Sequence, residues 1–192
     1  MLAAMLAGMP ATTRLLPTLP DNRDAIAAAF ARHSDCDIIV TSGGASVGDH
    51  DLVKPALVHA GGMVDFWRIA MRPGKPVMVA RLGETIVLGL PGNPVSAYVT
   101  ATLLLLPLIR QMAGASSPLP TTMKASAGAA FPATGPRQDF VRAKLHDGAL
   151  FPLGNQDSGA LSALLAAHAL VIRAAGSLPA APGEPLDYLP LA

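Results

Sequence analysis

The chain has 192 residues, 51% hydrophobic and 14% charged, with 18 Gly, 18 Pro and a formal net charge of +1. Such a composition excludes a disordered polymer. It also creates no broad electrostatic field, so neither extended nucleic-acid binding nor adhesion to an anionic membrane is supported, and any anion must be bound locally. The single cysteine, Cys36, excludes an intrachain disulfide and a zinc-ligand cluster and fits a reducing compartment such as the cytoplasm.

The apolar opening lacks a basic segment and is broken at Gly8 and Pro10, so residues 1–8 read as a helix rather than a signal peptide. Pro10 to Pro20 reads as a short strand and loop. Asp21 stands where an N-cap belongs before a second helix, Asn22 to Phe30. Asp37 to Thr41 is a β-branched run of the kind found in a sheet covered on both faces, and it empties into the Gly-rich loop Ser42 to Asp51. A helix from Leu52 to Ala60 follows, closed by Gly61-Gly62. Val64 to Met71 reads as a strand in which Arg68, Ala70 and Arg72 share one face, so both arginines are expected to point the same way. Pro73-Gly74 suits a type II turn that delivers Lys75 just beyond the strand end.

Strands Pro76 to Leu82 and Thr85 to Leu90 come next, joined by Gly83-Glu84. The second leads through Pro91-Gly92-Asn93-Pro94 into a helix over 95–113, with Asn93 as cap, Pro94 in the first helical position and Gly114 as the stop. The apolar run Val95 to Ile109 falls short of the roughly 20 residues a membrane-spanning helix needs, so a buried helix is expected. Alternation of helix and strand predicts a doubly wound α/β layer with a mostly parallel sheet over residues 1–117. Beyond the Pro-containing linker 115–120 the segments shorten. Asp139 to Leu145 and Ala149 to Leu153 flank the hairpin signal His146-Asp147-Gly148, and Ala167 to Ala174 and Glu184 to Leu191 add two strands. Residues 118–192 therefore read as a small all-β, barrel-like domain.

The loop after Thr41 is the most informative feature. Gly43, Gly44 and Gly48 let the backbone approach a ligand, and Ser42 and Ser46 add hydroxyl donors. Lying between a strand and a helix, the loop suits an oxyanion, although a plain turn would also explain it. Asp49 and Asp51 offer the hard oxygens Mg²⁺ prefers, while Asp51 could instead cap the helix at Leu52; His50 is a candidate base or a surface residue. Arg68, Arg72 and Lys75 match a tetrahedral dianion or a phosphate ester, or serve solubility alone. Pro91, Gly92, Asn93 and Pro94 present backbone N–H groups at a helix start, or are rigid punctuation. No nucleophile elbow, dinucleotide fingerprint or Walker loop is present. The residues by themselves thus describe an α/β protein that binds a compact anion with a divalent cation.

Three segments carry a resemblance. Asp37 to Asp51 (DIIVTSGGASVGDHD) resembles the molybdopterin-binding motif of the MoeA and gephyrin E-domain family, and Phe66 to Pro76 (FWRIAMRPGKP) and Gly89 to Ala97 (GLPGNPVSA) are similar to its next two motifs. Arg137 to Arg142 and Gly154 to Ser158 extend the likeness into the β domain. The resemblance implies insertion of molybdate into adenylylated molybdopterin, with release of AMP and the help of Mg²⁺. It implies that Ser46, Arg72, Lys75, Arg142 and Ser158 hold molybdate, while Gly43, Gly44, Gly48, Asp49, Arg68, Pro91, Gly92, Asn93 and Pro94 line the rest of the substrate site. Asp51 and Asp21 match acidic positions needed for activity. Asp51, with Asp49, would orient the cation or the water at the phosphoanhydride, and Asp21 could equally be a helix cap.

By the same resemblance a homodimer is expected, and the adenylyltransferase that makes the substrate and the molybdoenzymes that receive the cofactor are candidate partners. Arginine at 68 and 72 departs from the lysine that members often carry, keeping charge but changing geometry. The chain is expected to start inside the α/β domain, without its first strand and the region before it, and so to carry binding groups with little turnover. Two rival readings are a molybdopterin adenylyltransferase of the MogA type, normally a single domain, and a non-catalytic scaffold module.

Overall fold

The computed structural model describes residues 1–44 and 52–191. The chain forms two units, Met1–Ile69 with Gly74–Pro118, and Ala70–Pro73 with Leu119–Ala192. In chain order up to the linker the elements are α1 (Leu2–Leu6), α2 (Arg23–Arg32), β1 (Ile38–Ser42), α3 (Val53–His59), β2 (Met63–Trp67), β3 (Met71–Arg72), β4 (Met78–Leu82) and β5 (Thr85–Leu90). A long helix follows as α4 (Pro94–Thr100), a π-helical turn (Ala101–Leu105) and α5 (Leu106–Met112). All of these except β3 belong to the first unit.

Its sheet has the order β1-β5-β4-β2. β1 runs parallel to β5, from Ile38 opposite Ile86 to Ser42 opposite Leu90, whereas β4 is antiparallel to both β5 and β2. The α/β layer is as expected, but the sheet is mixed rather than mostly parallel. The tight Gly83-Glu84 connection explains this, because a two-residue link can join only antiparallel neighbours. Alternation along β5 sends Val87 into one core with Ala27, Phe30 and Leu57 from α2 and α3, and Leu88 and Leu90 into another with Ala101, Leu105 and Ile109 from the long helix. Helices therefore cover both faces.

Besides the short strand expected within Pro10 to Pro20, where the chain forms none, three local expectations change. The cap of α2 is Asn22 and not Asp21: Asn22 is extended (φ −137°, ψ 121°), and its amide oxygen accepts from Asp24 N–H at 2.9 Å and Ala25 N–H at 3.0 Å. Strand β2 stops at Trp67 because Arg68 takes φ 140°, a conformation incompatible with the pleat. The alternation that placed Arg68 and Arg72 on one face is thereby broken, and Arg72 joins the second unit through β3. Gly74 takes the positive φ expected of the Pro-Gly pair (109°), next to a cis Arg72–Pro73 peptide.

The third change concerns the long helix. Spanning Pro94–Met112, it is 19 residues and, by length and composition, long and apolar enough to cross a membrane. Its Val95, Ala97, Val99, Ala101, Leu105 and Ile109 are nonetheless buried in the protein, which is the behaviour of a core helix. The π turn lies just before Pro107, whose missing N–H and bulky ring would otherwise disrupt the ladder. Asn93 Oδ1 accepts from Val95 N–H at 3.2 Å and Ser96 N–H at 3.3 Å. Removing this cap by Asn93→Ala is expected to cost about 1 kcal/mol in urea unfolding.

The second unit holds β3 together with β6 (Met123–Ala127), β7 (Gln138–His146), β8 (Ala149–Pro152), α6 (Leu161–Leu165), β9 (Ala169–Arg173) and β10 (Pro185–Pro190). Pairing runs β7-β8-β6-β10-β9 and back to β7, a closed five-stranded barrel, with β3 added in parallel to β7. Closure leaves no free edge in the ring. Val141, Ala143, Leu150, Ala169, Val171 and Tyr188 pack together in its core. The β7–β8 hairpin turns at Asp147 (φ 47°) and Gly148 (φ 74°), the pair of positive φ values that an Asp-Gly hairpin turn requires.

Candidate functional site

Two loops leave the carboxyl ends of the adjacent parallel strands β1 and β5 and meet glycine on glycine. Gly43 N–H donates to Leu90 C=O at 3.2 Å, and a Cβ built on Gly92 would lie 3.2 Å from Gly43 Cα. Ser42 Oγ donates to Pro91 C=O at 3.5 Å, so this hydroxyl serves the loop packing. Gly44 has φ 65°, and a Cβ there would lie 2.5 Å from Val53 Cγ2 at the start of α3. Close backbone approach is thus built into the place where open α/β sheets bind ligands. The N–H groups at the start of α4 are largely spent: Asn93 takes those of Val95 and Ser96, and Ala97 N–H donates to Asn93 C=O at 2.8 Å. Pro91 to Pro94 is therefore a capped helix entry in which the N–H groups of Val95, Ser96 and Ala97 are already bonded.

The barrel unit supplies the strongest charge anomaly. Arg142 on β7 is 1% exposed, and its Nε and Nη1 have no hydrogen-bond partner among the described residues. Burial pulls its guanidinium below the ordinary pKa, and the nearby Asp157 charge acts in the opposite sense. A buried guanidinium with idle donors is costly unless an acceptor reaches it. The segment carrying Asp157 and Ser158 is pinned to this residue by Gln156, whose Oε1 accepts from Arg142 N–H at 3.0 Å. Gln156 Nε2 donates to Arg142 C=O at 2.9 Å and to Leu153 C=O at 2.8 Å. Asp157 Oδ1 accepts from Gly159 N–H at 2.7 Å, closing a turn around the half-buried Ser158. Arg72, on the neighbouring β3, donates from Nη2 to the buried carboxylate of Asp139 at 2.5 Å.

Of the expected site residues, Gly43, Gly44, Pro91, Gly92, Asn93 and Pro94 come together in the first unit, and Arg72, Arg142 and Ser158 belong to the second. Lys75 is exposed in the first unit, as is Arg68, whose Cζ lies 5.4 Å from the Trp67 ring centre; Lys54 Nζ lies 4.5 Å from the same ring. Asp21 is exposed and caps nothing. Ser46, Gly48, Asp49, His50 and Asp51 lie outside the described residues. Among the described residues no three His, Cys, Asp or Glu groups converge to hold a metal. A surface cavity of about 470 Å³, lined by Lys144, Leu145, His146, Phe151 and His168, contains none of the expected residues. Gln156 and Asp139 were inside recognised segments, yet only their contacts give them roles.

A glycine-rich crevice on an α/β layer, followed in the chain by a closed barrel with a buried arginine, defines an α/β protein with an appended barrel module. Comparison with known families gives the class its name. Residues 1–111 match the family described as "Probable molybdopterin binding domain" and residues 124–191 match "MoeA C-terminal region (domain IV)". The chain belongs to the MoeA family.

A protein of Haemophilus influenzae named molybdopterin molybdenumtransferase is 47% identical over 100 residues, covering 52% of this chain and 24% of its own length. One of the same name from Bacillus subtilis is 33% identical over 172 residues, covering 87% of this chain and 40% of its own. The chain thus spans well under half of the curated relatives it matches. Among solved structures, a molybdopterin biosynthesis MoeA protein from Pyrococcus horikoshii superposes with a TM-score of 0.73 at 26% identity, over 88% of this chain and 41% of that one. A molybdenum cofactor biosynthesis protein from Pyrococcus furiosus shares the fold, with a TM-score of 0.79 at 21% identity over 99% of this chain and 62% of that one.

Proposed function

We propose that this chain carries the binding machinery for molybdate insertion into adenylylated molybdopterin, the reaction that releases AMP during molybdenum cofactor biosynthesis. The observation that carries the reading is Arg142: a guanidinium 1% exposed whose Nε and Nη1 have no partner among the described residues asks for a compact anion. Molybdate, a tetrahedral dianion, offers oxygens to both nitrogens, and charge-assisted bonds of this kind are the stronger sort. Within the same unit Ser158 offers a hydroxyl donor and Arg72 a second guanidinium, while Lys75, in the other unit, enters this reading through sequence alone. Gly43, Gly44, Gly92 and their neighbours Pro91, Asn93 and Pro94 let the backbone lie close to a flat pterin, and Arg68 enters this reading through sequence alone. Ser46, Gly48, Asp49 and Asp51 enter this reading through sequence alone, as does Asp21.

The chain's own groups bind and orient; nothing in them suggests covalent catalysis. Mg²⁺ is part of the proposal only through Asp49 and Asp51, since no described cluster fits a cation, and no step is routed through it. A cytoplasmic homodimer, receiving substrate from an adenylyltransferase and passing cofactor to molybdoenzymes, completes the reading. A MogA-type adenylyltransferase is the second reading, and the closed barrel with its domain IV match weighs against it.

Calorimetric titration with sodium molybdate is expected to show one saturable site on the chain, and molybdate is expected to trigger AMP release from adenylylated molybdopterin by the family's full-length form. No saturable molybdate binding would overturn the proposal. Adenylylated product from unmodified molybdopterin and ATP would transfer the assignment to the second reading.

A further inference from the structure

Arg72 and Asp139 form a pair whose two ends live in different surroundings. The Asp139 side chain is 5% exposed and that of Arg72 is 55% exposed. Strand register makes the pair part of a row: Arg72 stands opposite Asp139 across β3 and β7, and Asp139 stands opposite Arg173 across β7 and β9. Arg173 is buried and donates from Nη2 to Leu178 C=O, while its Nε has no partner among the described residues. One carboxylate thus sits in a row with two guanidinium groups, which leaves the row with net positive charge.

Only Nη2 of Arg72 is used by Asp139, and among the described residues its Nε and Nη1 find no other partner. An exposed arginine that must capture an anion gives up rotamer freedom when it does so. One already held at its far edge by a buried carboxylate has given that freedom up beforehand and presents a planar fork in fixed orientation. We infer that Asp139 is a positioning residue, holding the Arg72 guanidinium so that its free edge takes the tetrahedral oxyanion; this rests on the molybdate reading above.

Two simpler roles predict different signs. If Asp139 acted only through its charge, neutralising it would remove repulsion and tighten anion binding. If it served only the barrel, neutralising it would lower stability and leave affinity alone. Positioning predicts weaker binding that depends on Arg72.

The test is a molybdate titration by calorimetry of the chain, of Asp139→Asn, of Arg72→Ala and of the double variant, each with a thermal unfolding scan. Asp139→Asn is expected to weaken molybdate about fivefold to tenfold, the order of one misaligned charge-assisted bond, and to have no further effect once Arg72 is Ala. Equal or tighter binding by Asp139→Asn, or the same loss in the Arg72→Ala background, overturns the inference. Should Asp139→Asn fail to fold, Asp139→Glu decides in its place. It keeps the charge on a longer arm, so a drop confined to the Arg72-containing protein supports positioning and an unchanged affinity overturns it. No binding by the unaltered chain overturns the molybdate reading, and this inference with it; binding that ignores Asp139 overturns this inference alone.

Discussion

Arg142→Met is expected to stabilise the barrel unit by about 1–3 kcal/mol in urea unfolding while abolishing saturable molybdate binding. Both halves follow from the same burial. The side chain is 1% exposed and finds no acceptor for Nε and Nη1 among the described residues, so without an anion its guanidinium is a desolvated charge whose solvation loss is not made good. Methionine has a similar length, no charge and the flexibility to fill the space. The Gln156 clamp binds the main chain of Arg142, through its N–H and C=O, and survives the substitution. Asp157 loses its cationic neighbour but is exposed, so water takes over. Adding molybdate sharpens the contrast: at a hundred times Kd it should stabilise the unaltered chain by about 2.7 kcal/mol and the Met variant not at all. A Met variant destabilised on the same scale would show that the guanidinium supports the fold, and Arg142 would lose its standing as the anion ligand.

The parts legible in the sequence were those whose signals are local. The helices at 23–32, 53–59 and 94–112, the Asp-Gly hairpin at 147–148 and the Asn93-Pro94 helix start each depend on a few adjacent residues and appear where expected. The short strand expected within Pro10 to Pro20 does not form, and α6 was not expected. The strand β6 was not anticipated, because Met-Lys-Ala-Ser-Ala lacks the β-branched and aromatic residues that signal strands; pairing with β8 and β10 makes it a strand. Likewise the strand from Val64 to Met71 looked continuous, since nothing in its residue types announces the positive φ of Arg68 or the capture of Met71 and Arg72 by β7. Asp21 and Asn22 are both good caps, and only backbone geometry chose between them. In the candidate site, the type of Arg142 and its motif were readable, whereas its two idle nitrogens, the Gln156 clamp and the Asp139 contact are tertiary facts.

Gly44→Ala is the other substitution with a large expected effect, a loss of about 2–4 kcal/mol in urea unfolding. Two costs add. Alanine at φ 65° occupies the left-handed region, which costs about 1 kcal/mol relative to glycine. The new methyl would also lie 2.5 Å from Val53 Cγ2 and 3.6 Å from Val53 Cβ. Val53 is 7% exposed and packs in the core with Phe30 and Leu57, and its β-branched side chain has no other comfortable rotamer in a helix. Overpacking of that kind costs about 1–3 kcal/mol.

Gly43→Ala separates the two terms: its φ of 92° carries the backbone cost, but among the described residues the nearest atom to its Cβ is Gly92 Cα at 3.9 Å, an ordinary contact. It should therefore lose only about 1–2 kcal/mol. Introducing Gly44→Ala into a Val53→Ala background removes the clash, and the remaining loss should fall to that same backbone value. If instead Gly44→Ala is as mild as Gly43→Ala in the native background, the loop does not seat against α3. The glycine crevice would then lose the rigid wall on which close approach to a pterin depends.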